Sequence, residues 1–178
     1  MKTKAIIFAL LCFVFSSYNY RKKMDGSTSG VIFDTASYIQ KQYGLQAGGF
    51  GGGARNGVAH LSLDFLVSKD LTAEEAKRLL VICVEAFLNN INSDKALRPL
   101  LVEYPFPPSR ISLSLLIESG KKDHEVAPGD LLSCSLYSGT VVCATLRERT
   151  SFITVDKEIY YKETYEKAKR IVDNEKEY

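Results

Sequence analysis

The stretch Leu131–Leu146, LLSCSLYSGTVVCATL, decides the reading of the fold. Two apolar-rich runs, 131–137 and 140–146, flank Ser138-Gly139, a dipeptide suited to the tight turn of a β-hairpin. A two-residue loop sets Tyr137 opposite Thr140, Leu136 opposite Val141 and Ser135 opposite Val142. Cys134 then falls opposite Cys143. Hydrogen-bonded and non-hydrogen-bonded pairs alternate outward from the turn. The two cysteines therefore form the closer, non-hydrogen-bonded kind of pair, with Cα atoms about 4.5 Å apart. That is the short end of disulfide geometry. Leu132, Leu136 and Val141 share their face. Two readings follow: a cross-strand disulfide, or two reduced thiols packed as small hydrophobes. A three-residue loop would destroy the register.

Upstream, Ile111, Leu113, Leu115 and Ile117 alternate with Ser112, Ser114 and Leu116, which predicts a strand. Ala59, Leu61, Leu63, Phe65 and Val67 alternate with His60, Ser62, Asp64 and Leu66 and predict another. Asn56-Gly57 is a turn signal ahead of it. The preceding glycine-rich run 45–54 is expected to be its thin hairpin partner. Between these strands, Thr72 and Glu75 form a capping box. It opens a helix over 73–91 whose apolar positions Ala76, Leu79, Leu80, Cys83, Phe87, Leu88 and Ile91 repeat at helical spacing. Cys83 reads as an inert core residue. Tyr104-Pro105-Phe106-Pro107-Pro108 forces an extended crossing.

At the ends, Asp34 or Thr35 can cap a helix running to Tyr43, with Ile32, Ala36, Ile39 and Tyr43 on its apolar side. Residues 121–129 read as a charged loop, and 152–155 as a short last strand. The pattern from 157 to 173 is helical, with Tyr161, Tyr165, Ala168 and Val172 as its stripe. Glu163/Lys167 and Glu166/Arg170 are favourable i,i+4 pairs. The order is α-β-β-α-β-β-β-(β)-α. Hairpin signals dominate it, so the expected class is α+β. We expect an antiparallel sheet of about 4–6 strands, with one long central helix and a C-terminal helix packed on one face.

The first residues read as a signal peptide. Lys2 and Lys4 precede Ala5–Phe15, an unbroken apolar run, and the small residues Ser16 and Ser17 follow. The run falls short of the roughly 20 apolar residues that a spanning helix needs. Cleavage after Ser16 would leave residues 17–30 as a flexible mature N-terminus and 31–178 as one domain. Arg21-Lys22-Lys23 is the opposing feature. Basic residues on both flanks blur the orientation signal, and the alternative is a domain tethered to the membrane by an uncleaved segment. The whole chain has 23 basic and 21 acidic residues. Without Lys2 and Lys4 it carries 21 of each and is neutral. A nucleic-acid binder shows a basic stripe, and none is present, so nucleic acid is not an expected partner.

No cofactor or metal signature stands out. Gly49–Ala54 matches G-x-G-x-x-A formally, but a dinucleotide site needs that loop to open a helix, and here a turn and a strand come next. His60, Ser62 and Asp64 have the residue types of a nucleophile, base and orienter. They stand two residues apart on one strand, about 6.5–7 Å from each other, whereas such groups must hydrogen-bond in series. His124 lies in the charged loop. Glu118, Asp123, Glu125 and Asp130 read as solvated charges. His60, Asp64 and His124 are the catalytic candidates, and an exported hydrolase assembled only in three dimensions is the alternative function. The first expectation is a non-enzymatic bacterial domain, periplasmic or secreted, that binds another macromolecule. Its candidate partner surface is Gly49, Phe50 and Gly51 with Tyr104 and Phe106 of the proline-rich crossing.

Overall fold

The computed structural model describes residues 28–54, 56–118, 129–149 and 155–174. Helix α1 covers residues 28–43. There follow β1 (Gln46–Ala54), β2 (Val58–Val67), α2 (Ala73–Ser93), β3 (Ile111–Ile117), β4 (Leu131–Tyr137), β5 (Thr140–Arg149), β6 (Val155–Thr164) and α3 (Tyr165–Asn174). The six strands form one sheet in sequence order. Four of the five pairings are antiparallel. The exception is β2 with β3, which run parallel because α2 carries the chain back across the sheet, as a parallel connection requires. The class is α+β with a mixed sheet, and hairpin signals alone did not reveal the parallel seam.

Strand alternation sorts the side chains. Leu61, Leu63, Phe65 and Val67 of β2, Ile111, Leu113, Leu115 and Ile117 of β3, and Cys134, Leu136, Val141 and Cys143 of the β4–β5 hairpin are all buried. They belong to one apolar cluster with Leu80, Val84, Phe87 and Ile91 of α2 and with Ile32, Ala36 and Ile39 of α1. Burying each such large side chain contributes about 1.5–3 kcal/mol. Helix α2 begins at the expected box. Glu75 N–H donates to Thr72 Oγ1, and Thr72 N–H donates to Glu75 Oε2.

The hairpin register is the expected one from Tyr137–Thr140 out past Cys134–Cys143, and a bulge between Leu131 and Ser133 then shifts it so that Leu131 stands opposite Thr145. Ser138 (φ 47°) and Gly139 (φ 73°) are both left-handed, the conformation of a type I′ turn. The two sulfurs are bonded, and the Cα atoms lie 4.0 Å apart. Both cysteines are fully buried on the side of the sheet that faces α2. Cys83 is a buried free thiol, and burial pushes its pKa up to about 12.

Two boundaries differ from the sequence reading. Helix α1 already includes residues 28–30, so the expected flexible segment 17–30 ends inside a helix. Thr35 is not a cap. It is buried, donates to Val31 O at 2.8 Å and accepts from Asn90 Nδ2 of α2 at 2.9 Å. Burial of Val31 and Ile32 extends the helix back through a turn-rich sequence, since packing outweighs propensity. At the other end, residues 157–164 are strand rather than helix. Val155, Ile159, Tyr160 and Tyr161 are strand formers, and pairing with β5 decides the matter. Thr164 Oγ1 then accepts from Lys167 N–H at 3.4 Å and caps α3. Of the expected stripe, Tyr165, Ala168 and Val172 are buried on α3. Tyr165 donates to Glu85 Oε1 of α2. Lys169 bridges Glu85 at 3.3 Å and Asp173 at 2.7 Å. Burial and the Glu85 carboxylate both raise the pKa of Tyr165. The charged loop 121–128, with His124, Asp123 and Glu125, lies outside the described residues, as do residues 1–27.

Candidate functional site

His60, Ser62 and Asp64 lie on the face of β2 turned away from the helices, since the odd-numbered Leu61, Leu63 and Phe65 are the buried ones. Their β1 partners are Gly53, Gly51 and Gly49. Ser112 and Ser114 of β3 stand opposite Ser62 and Asp64, and Ser135 of β4 stands opposite Ser114. The result is a flat row of small polar groups. His60 and Asp64 are four residues apart on one strand, about 13 Å. No hydrogen bond links the three residues among the described residues. The structure does not bring them together as a relay. Glu118 accepts from Ser68 at 3.5 Å. Among the described residues there is no cluster of three groups able to hold a metal.

The glycine-rich run is the outermost strand of the sheet. A strand and not a helix follows it, so its backbone is not aimed at a phosphate. Gly49, Gly51 and Gly53 set no side chain beside the half-buried polar row of β2: a Cβ on Gly49 would sit 3.5 Å from Asp64 Oδ2, and one on Gly51 would sit 3.0 Å from Ser62 Oγ. Phe50 points to the other side, opposite Leu63. There it meets Phe33 of α1 edge to face, with ring centroids 5.0 Å apart. Both rings stay about half exposed, 52% for Phe33 and 56% for Phe50. A shallow cleft of about 270 Å³ opens between α1 and β1, floored by Ile32, Leu61 and Gly52. A second hollow of about 380 Å³ adjoins it through the shared Ile32 and Phe50.

The two edges of the sheet differ in charge. Strand β6 sets the charges of Glu158 and Lys162 at exposed positions around the exposed Ile159 and Tyr160, and charges along an edge discourage strand addition. Strand β1, QAGGFGGGA, carries no charge and no proline.

The proline-rich crossing divides the other candidate residues. Tyr104 is 48% exposed, and the Arg98 guanidinium lies 4.3 Å from its ring centre. Phe106 is 2% exposed and belongs to the buried apolar cluster, so it presents no surface to a partner. Sequence reasoning missed Phe33. The available signal was its place off the apolar stripe of Ile32, Ala36 and Ile39, which turns an aromatic ring outward. No described helix is long and apolar enough to cross a membrane. No family model matches the chain, and no curated protein or solved structure is similar to it.

Proposed function

We propose that this chain is an exported, non-enzymatic binding domain of the bacterial envelope or extracellular space, and that its partner adds an extended segment to the β1 edge. One observation carries the reading. β1 is an uncharged, glycine-rich edge strand flanked by a half-exposed aromatic pair, whereas the opposite edge is charged. Strand addition draws affinity from main-chain hydrogen bonds, which such an edge offers without side chains in the way. Exposed aromatic rings beside it supply apolar area to cover. The order of basic residues, apolar run and small residues over Met1–Ser16 supports export.

The test is a photo-crosslinking residue at position 50 of the protein in its native host, with the same residue at Tyr160 of β6 as control. Crosslinks from position 50 and not from 160 are expected. The mature chain is expected to begin at Ser17. No crosslink at 50, or equal crosslinking at 160, overturns the binding edge, and a retained Met1 overturns the cleaved, exported form.

A further inference from the structure

We propose that the strand taken up at the β1 edge is β1 of a second copy of this chain. This rests on the reading of β1 as a binding edge and names its occupant. The two edges decide how copies can join. Pairing β1 with β6 of another copy would bring a charged border against a bare one and would propagate as an open fibre. Pairing β1 with itself is isologous and closes after two copies.

The bulges on β1 set the register. Irregularities between Ala47 and Gly49 and between Gly53 and Ala54 bound one regular run, Gly49–Gly53. A two-fold axis perpendicular to the sheet keeps the helices of both copies on one side. Directly opposed residues must then share a face. Pairing the whole run under that condition centres it on Gly51, which faces its own equivalent. Gly49 faces Gly53 of the second copy, and Phe50 faces Gly52 of the second copy. Each copy thus contributes one ring and one position without a side chain. An aromatic ring lying across a cross-strand glycine is a favourable pairing. Phe33 stands beside each Phe50, so two edge-to-face pairs meet at the seam. On the polar face a foreign peptide would find little to read, because side-chain pockets give strand addition its specificity and Gly49, Gly51 and Gly53 offer none there. Self-complementarity supplies that specificity instead.

The experiment is sedimentation equilibrium of the mature chain over a concentration series, with hydrogen exchange at each concentration. Expected are a monomer–dimer equilibrium and amide protection at 49–53 that rises with dimer fraction. Phe50→Lys places a charge on the seam and is expected to raise the dissociation constant at least tenfold. Its ring is half exposed, so the circular dichroism spectrum should match the parent, and at concentrations where both chains are monomeric Tm should fall only slightly, by the loss of the Phe33 contact. Gly49→Lys is a second variant, with its Cβ in an open site beside Asp64, and is expected to weaken the dimer in the same direction. A monomer at all concentrations, or a dimer indifferent to both variants, overturns the proposal. A monomer that still crosslinks to another protein through position 50 overturns the second copy and leaves the binding edge standing. A monomer without such crosslinks overturns both.

Discussion

The side-chain amide of Asn92 and the backbone of Phe106 form a closed pair of hydrogen bonds. Phe106 N–H donates to Asn92 Oδ1 at 2.6 Å, and Asn92 Nδ2 donates to Phe106 O at 3.2 Å. The last turn of α2 thereby holds the proline-rich crossing in the way a neighbouring strand would. Asn92→Ala leaves both backbone groups of a buried residue without a partner and is expected to cost about 1–3 kcal/mol. Asn92→Asp keeps the acceptor and should cost less. Urea unfolding checks this, with the midpoint falling in that order and the slope unchanged.

The Cys134–Cys143 bond closes a short loop. Replacing both cysteines with alanine is expected to lower stability by about 2–3 kcal/mol, on the loop-entropy account. Mass analysis under denaturing, non-reducing conditions should count one thiol, Cys83, in a chain beginning at Ser17. Three thiols would contradict the bond.

Cys83 gives a pH signature. Its pKa is pushed by burial from 9.0 to about 12. The unfolded chain therefore releases this proton at lower pH than the folded one. The stabilisation is complete below pH 9 and is lost as pH rises toward 12, at up to about 1.4 kcal/mol per pH unit. Tyr165, also raised, acts in the same direction above pH 10. Cys83→Ala should flatten the part of the alkaline slope that starts at pH 9, measured by denaturant titration at fixed pH values.

Tyr165 and Glu85 fasten α3 to α2. Tyr165→Phe removes one of the two donors on the partly exposed Glu85 carboxylate, which keeps Lys169, and is expected to cost about 1 kcal/mol. A double-mutant cycle with Glu85→Gln should return a coupling of about 1 kcal/mol or more. Additive effects would deny the link.

Two glycines should respond in opposite senses to alanine. Gly57 has φ +127°, and a Cβ there would lie 2.9 Å from Leu100 O, so Gly57→Ala is expected to destabilise by about 1–3 kcal/mol. Gly49→Ala meets only Asp64 Oδ2 at 3.5 Å and should stabilise by about 0.4–1 kcal/mol by restricting the unfolded chain. Thermal unfolding of both variants compares them directly.

The hairpin, its register and the capping box of α2 were legible in the sequence because they depend on local chemistry: a turn dipeptide, a period of two and a Thr–Glu spacing. The parallel seam was not, because β2 and β3 meet across a long crossover that no local signal encodes. Residues 157–164 misled for a related reason. Their spacing suits a helix, but the edge of β5 was available to pair with them. The candidate site was half legible. The glycine strand could be read as a thin edge, but its partner ring Phe33 comes from a helix whose packing direction only the tertiary structure fixes. Phe106 was indistinguishable from Tyr104 until Asn92 and the core claimed it.

The full enclosure of Cys134 and Cys143 beneath α2 imposes a chronology on maturation. An oxidant cannot reach sulfur atoms that a seated helix has sealed. The bond therefore has to be made while the hairpin stands open, and the docking of α2 afterwards shields it from reductants. A chain that packs α2 first is shut out of its own oxidised form until it opens again. The hairpin thus records, in one covalent link, whether the protein met an oxidising compartment before it finished folding.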